Sequence, residues 1–111
     1  VTLEHGEGPS WNADDATLSA VDTTGRSVVL FDGCGRLLRT FRHDSDVGAA
    51  LPVRAGGFIV CDQPGLSYRT PDGPAQRLLT CNPPGLRMND AKVAPDGAIW
   101  AETMSYDQTP G

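Results

Sequence analysis

Lysine is almost missing from this 111-residue sequence: Lys92 stands alone beside eight arginines scattered from Arg26 to Arg87. No five-residue window concentrates enough positive charge to follow a phosphate backbone, and the formal net charge is −5. Both facts exclude nucleic acid as a partner. Long apolar runs are also missing. The stretches Val28-Val29-Leu30-Phe31 and Phe58-Ile59-Val60-Cys61 reach four residues, against the ~18 that a membrane helix needs. No basic segment precedes an apolar core in the manner of a signal peptide, so no membrane partner is expected. The chain opens on Val1 rather than Met, which leaves room for residues ahead of it.

Cysteine is sparse and oddly numbered. Cys34, Cys61 and Cys81 form no CxxC pair, which argues against a disulfide framework and for a reducing, cytoplasmic setting. Cys61, within an apolar run, reads as a small buried hydrophobe. A zinc site made from these thiols with His5 or His43 lacks ligand spacing. Helical periodicity is the last absence, because no apolar i, i+3, i+4, i+7 pattern survives three turns without Gly or Pro.

What is present is a succession of short β-like runs. They fall near 18–22, 27–32, 37–42, 48–54, 57–62, 65–69, 75–80, 91–94 and 98–103, separated by turn pairs such as Asp32-Gly33, Gly56-Gly57, Asp72-Gly73 and Asp96-Gly97. Thirteen glycines and nine prolines supply those turns. The pattern predicts an all-β chain of hairpins. Size scaling for 11.7 kDa gives a folded surface of ~5,900 Å² against ~17,000 Å² unfolded, so a modest core is possible if the chain closes on itself.

The runs repeat. Asp32-Gly33 before Arg36-Leu37-Leu38 returns as Asp72-Gly73 before Arg77-Leu78-Leu79, and Leu18–Asp22 lies over Phe58–Asp62 and then Ala98–Glu102. Four strands in ~40–45 residues is the period of a β-propeller blade; a stack of unrelated hairpins is the alternative. At that period the chain holds about two and a half four-stranded blades, with blade-like units at 10–50, 51–90 and 91–111 of one domain, whereas a closed propeller takes four to eight. The expected architecture is the N-terminal part of a propeller whose open edges need a further chain or self-association to cover them.

Two segments are candidates for chemistry. In Gly6-Glu7-Gly8-Pro9-Ser10-Trp11 a carboxylate sits between glycines, a pattern poorly suited to a simple strand. Glu7 is either an oxygen ligand for a hard cation or a surface residue of a loop. Arg87-Met88-Asn89-Asp90 opens the third unit. Its amide and guanidinium suit a metal or a hydroxylated ligand, while an Asx turn is the competing structure. Alternation would put Arg87 and Asn89 on one strand face. No Gly-x-Ser-x-Gly elbow and no phosphate loop occur. His5 and His43 lie in polar surroundings and read as surface residues, with His5 near enough to Glu7 to support it.

Together, Gly6–Asn12, the run 18–22 and Arg87–Val93 leading into Pro95–Trp100 and Thr103-Met104 resemble the SMP-30/gluconolactonase/luciferin-regenerating-enzyme-like family, in register over essentially the whole chain. That resemblance implies a six-bladed propeller with a divalent cation at the channel mouth, calcium or zinc, with magnesium or manganese also possible. It implies hydrolysis of a small-molecule lactone or ester. It matches Glu7 to a metal ligand, and Arg87 and Asn89 to substrate-binding positions. The family's remaining metal ligands and its general base fall beyond residue 111, so no catalytic residue is identified in this chain and weak or no metal binding is expected of it alone. Ser19-Ala20 replace the aromatic pair usual in the first inner strand, and Ala91 and Glu102 stand where glycines are common. A non-catalytic module binding a sugar-like ligand or a protein through the same mouth is the alternative function.

Overall fold

The computed structural model describes residues 2–106. The unit expected at 91–111 therefore ends outside the described residues. Ten strands form three antiparallel sheets among them. The first sheet holds β1 (Gly6–Asn12), β2 (Thr17–Asp22), β3 (Ser27–Asp32) and β4 (Leu37–Arg42) in chain order. The second holds β5 (Val47–Pro52), β6 (Phe58–Asp62), β7 (Gly65–Arg69) and β8 (Ala75–Thr80). The third pairs β9 (Leu86–Val93) with β10 (Ile99–Ser105). Two four-stranded blades and a two-stranded third make the all-β, two-and-a-half-blade arrangement that the repeat predicts.

The core lies between blades, as blade stacking requires. Val21, Val28 and Phe41 of the first sheet meet Val47, Ala50, Phe58 and Val60 of the second, with the Phe41 and Phe58 rings edge-to-face at 5.6 Å. A second layer joins Ala49 and Cys61 to Met88 and Ala91 of the third sheet. The outer strands remain wet: Leu37, Leu38, Leu78 and Leu79 are all exposed. Surface area is 6722 Å², above the ~5,900 Å² that size scaling gives for a closed globule of this mass.

Two local expectations are corrected. Gly6–Asn12 is a strand after all, because a register shift between Glu7 and Ser10 absorbs Gly8, at φ 53°, and Pro9, which cannot donate to a ladder. The run 18–22 is the second strand of its sheet, not the innermost. Across the stack β5 meets β1 and β2 of the first sheet and β9 of the third, and β6 also meets β9.

Asp22 and Asp62 close β2 and β6 in the same way. Each carboxylate accepts the backbone N–H three residues on, from Gly25 and from Gly65. The repeat is thus visible in hydrogen bonds as well as in sequence.

Candidate functional site

Each inner strand departs from regular pairing at nearly the same height. In β1 the residues Gly8 and Pro9 oppose Ala20 alone; in β5 Gly48 is the extra residue between Val47 and Ala49; in β9 Asn89 and Asp90 oppose Glu102. Gly6 pairs with Asp22 and Val47 with Asp62, while Asn89 and Asp90 lie opposite Glu102, the residue that the repeat superposes on those two aspartates, so Glu7, Gly48 and Asn89 lie close to one level in three successive blades. The two polar candidates therefore flank a glycine. That glycine is sterically required: a Cβ on Gly48 would lie 2.1 Å from the Asn89 carbonyl oxygen and 2.2 Å from that of Met88.

Glu7 is exposed and lies within hydrogen-bond distance of His5, whose Nε2 is 3.1 Å from Oε1. The chain before it is anchored by Asp22, which accepts the backbone N–H groups of Glu4 at 3.1 Å and His5 at 2.9 Å. Burial raises the Asp22 pKa, but those bonds and the one from Gly25 outweigh it and hold the carboxyl below its ordinary value. His5 thus stands beside Glu7, as its sequence position suggests. His43 does not lie on the surface: its side chain is only 5% exposed and bonds to Asp62.

Arg87 is buried in β9, and its Nη1 donates to the Met88 carbonyl at 2.9 Å. Nearby, Tyr106 donates its hydroxyl to Asp46 at 2.9 Å. Burial and that bond push the phenol up to about 12, and the charges of Arg87 and Arg26 offset part of the rise. Asn89 is half-buried and donates from Nδ2 to Glu102 Oε1 at 2.8 Å. Simple alternation along Arg87–Asp90 does not hold. The bulge lets Met88 and Ala91, three apart, share one core layer, while neighbouring Arg87 and Met88 are both buried. Asp90 does bond its neighbour, accepting the Ala91 N–H at 2.8 Å, but within a strand rather than an Asx turn.

Among the described residues no hydrogen bond or ion pair joins Glu7 to Arg87 or Asn89, and no three His, Cys, Asp or Glu side chains converge on a point that could hold a metal ion. What the chain offers a hard cation is right in kind, a carboxylate and an amide oxygen on equivalent strand positions, but below the six or more oxygens calcium takes. A groove of about 210 Å³ continues along the three inner strands, past Gly8, Ser10, Ala49, Leu51, Asp90 and Lys92. A wider cleft of about 550 Å³ lies elsewhere, at the hairpin ends near Trp11, Asp14 and Arg54. Its position places it away from Glu7, Arg87 and Asn89. Of the side chains that shape the site, Asp22 and Gly48 carry no sequence signal beyond the repeat, and the bulge that aims Glu102 at Asn89 is invisible without the pairing.

Regucalcin of Danio rerio is 32% identical over 96% of this chain. YvrE of Bacillus subtilis, whose name assigns it provisionally to the sugar lactone lactonases, is 30% identical over 92%. The chain spans 37% and 36% of those two relatives. Among solved structures, a luciferin-regenerating enzyme superposes with a TM-score of 0.85 at 25% identity, over 95% of this chain and 38% of that one. A regucalcin of Agrobacterium tumefaciens, described as a calcium-binding protein, superposes at 0.86 and 22% identity, over 96% of this chain and 37% of its own. Residues 5–111 match the model of the SMP-30/gluconolactonase/LRE-like region, and the chain belongs to that family.

Proposed function

We propose that this chain is the part of a divalent-metal-dependent lactone or ester hydrolase that carries Glu7, Arg87 and Asn89. The observation that supports this reading is that Glu7 and Asn89 lie close to one level on either side of Gly48, on the first strands of three successive sheets of a family chain. Glu7 would hold the cation through a carboxylate oxygen, and Asn89 would stand close enough to meet it directly or through water. Calcium or zinc is the proposed ion, with magnesium or manganese as substitutes. When bound, it supplies Lewis-acid polarisation of the substrate carbonyl. Arg87 keeps further N–H donors beyond the one given to Met88, and these suit a carbonyl or hydroxyl of the substrate. No general base is assigned within residues 1–111, and the 111-residue chain alone is expected to be inactive. Three free thiols suit a reducing compartment such as the cytoplasm.

The test is hydrolysis of aldonolactones and aryl esters, by the 111-residue chain and by the protein its reading frame encodes, with each of the four ions. Metal-dependent turnover by the encoded protein, lowered at least about tenfold by Glu7→Gln, is the expected result. No turnover in a fully metal-loaded protein overturns the hydrolase and favours the non-catalytic module. Tight calcium or zinc binding by the 111-residue chain would show instead that the chain supplies a complete coordination sphere.

A further inference from the structure

We infer that Glu102 is a positioning residue that decides which end of the Asn89 amide faces a ligand. The inference rests on the proposed reading only in taking Asn89 as a ligand-contacting group. The β9–β10 bulge sets Asn89 and Asp90 opposite Glu102 alone, and the Asn89 Nδ2 donates to Glu102 Oε1 at 2.8 Å. An ionised carboxylate only accepts hydrogen bonds, so the nitrogen end of the amide must be the end turned toward it. Oδ1 is thereby the end turned away. The neighbouring Asp90 carboxylate accepts instead from the Ala91 N–H, through Oδ1. The bond to a charged acceptor also draws electron density through the amide toward its oxygen, which makes Oδ1 a better ligand.

The ligand chemistry follows. Held this way, Asn89 presents an acceptor, and it selects a cation or the hydroxyl of a polyhydroxylated molecule rather than a carbonyl oxygen. Carbonyl recognition falls to the donors of Arg87. Without Glu102 the amide could rotate end for end and offer N–H groups to the same place.

The test compares the protein that the chain's reading frame encodes with its Glu102→Ala and Glu102→Gln variants by nuclear magnetic resonance. The side-chain amide protons of Asn89 and its Cγ carbon are followed during titration with calcium chloride. Backbone amides of β5 and β9 that keep their positions show that each variant is folded. In the parent chain one Asn89 amide proton is expected downfield of a free amide, and Cγ moves as calcium is added. Glu102→Ala should return that proton to the free position and weaken the apparent calcium affinity by roughly tenfold. Glu102→Gln, whose Oε1 still accepts, should recover most of the loss. An Asn89 proton that ignores Glu102→Ala, or an equal or absent calcium response in all three proteins, overturns the inference. Lack of lactone hydrolysis alone, with the calcium response present, defeats the hydrolase reading and leaves Glu102 in its role.

Discussion

His43 Nε2 lies 2.7 Å from Asp62 Oδ2, with both side chains shut off from solvent, so the residue that follows the first sheet is tied to the second strand of the next. Arg77 closes on the same carboxylate from β8, with Nη1 2.7 Å from Oδ1 and Nη2 2.8 Å from Oδ2, and Ser67 Oγ adds a bond at 3.1 Å. The carboxylate faces donors on every side. Serine bonds to the aspartate and not to the histidine, so this group is a tie between blades rather than a nucleophile with its base.

Burial raises the Asp62 pKa, but the bonds from His43 and Arg77, the Arg77 charge and the Gly65 N–H outweigh it and hold the carboxyl far below its usual range. A carboxyl depressed in the folded state stabilises fully above its unfolded pKa, near ~3.9, and that contribution drains away as pH falls from there toward the folded value. Chemical denaturation from about pH 6 down to about pH 2 should show Asp62→Asn destabilised by a steady margin until the pH nears the ordinary carboxyl value of ~3.9, with the gap narrowing progressively below it. Because Arg77 is 40% exposed, the expected loss near neutrality is about 2 kcal/mol, below the figure for breaking a fully buried pair. A constant difference across the series would count against the tie.

Gly48→Ala should loosen the second interblade layer. Its Cβ has no free direction against the Met88 and Asn89 carbonyls, and backbone, unlike a long side chain, cannot swing aside. A destabilisation of about 2 kcal/mol or more is expected, together with shifted amide resonances for Arg87 and Asn89. A substitution leaving β9 resonances in place would show that the two strands do not approach as described.

Thiol chemistry should separate the cysteines. Cys61 is fully buried, and burial, with the Asp62 and Asp90 charges adding to it, pushes its thiol up to about 12. Cys34 and Cys81 are exposed. An aromatic disulfide reagent at neutral pH should label Cys34 and Cys81 quickly and Cys61 only after denaturation. Equal labelling rates at all three would contradict the packing of Ala49, Cys61, Met88 and Ala91.

The β10 edge predicts association. Among the described residues β10 pairs only with β9, and Val93, Ile99 and Trp100 are 54%, 40% and 73% exposed. Such an edge is a template for further strands. Light scattering of the 111-residue chain should show mass rising with concentration, and Ile99→Lys should lower it. A monomer at all concentrations would exclude self-association through this edge.

Periodicity alone was enough to read the class of fold. Alternating short runs and turn pairs cannot be satisfied by helices, and a forty-residue return of Asp-Gly and Arg-Leu-Leu implies one supersecondary unit used repeatedly. Local chemistry also identified Cys61 as core and placed His5 beside Glu7. Legibility ended wherever a residue's role depends on a partner distant in sequence. His43 looks like a surface histidine because its neighbours in the chain are polar, and only the folding of β6 and β8 over it supplies Asp62 and excludes water.

By itself, then, the sequence determined the repeat, the all-β class and the residue types able to meet a cation or a hydroxyl, because these follow from side-chain chemistry and local backbone preference. The tertiary structure decided the strand order of each sheet and that Glu7, Gly48 and Asn89 lie close to one level. It also decided that Glu102 faces Asn89. Those outcomes depend on bulges, and a bulge is a property of two paired strands: one extra residue changes the facing of everything beyond it, and neither strand records that alone.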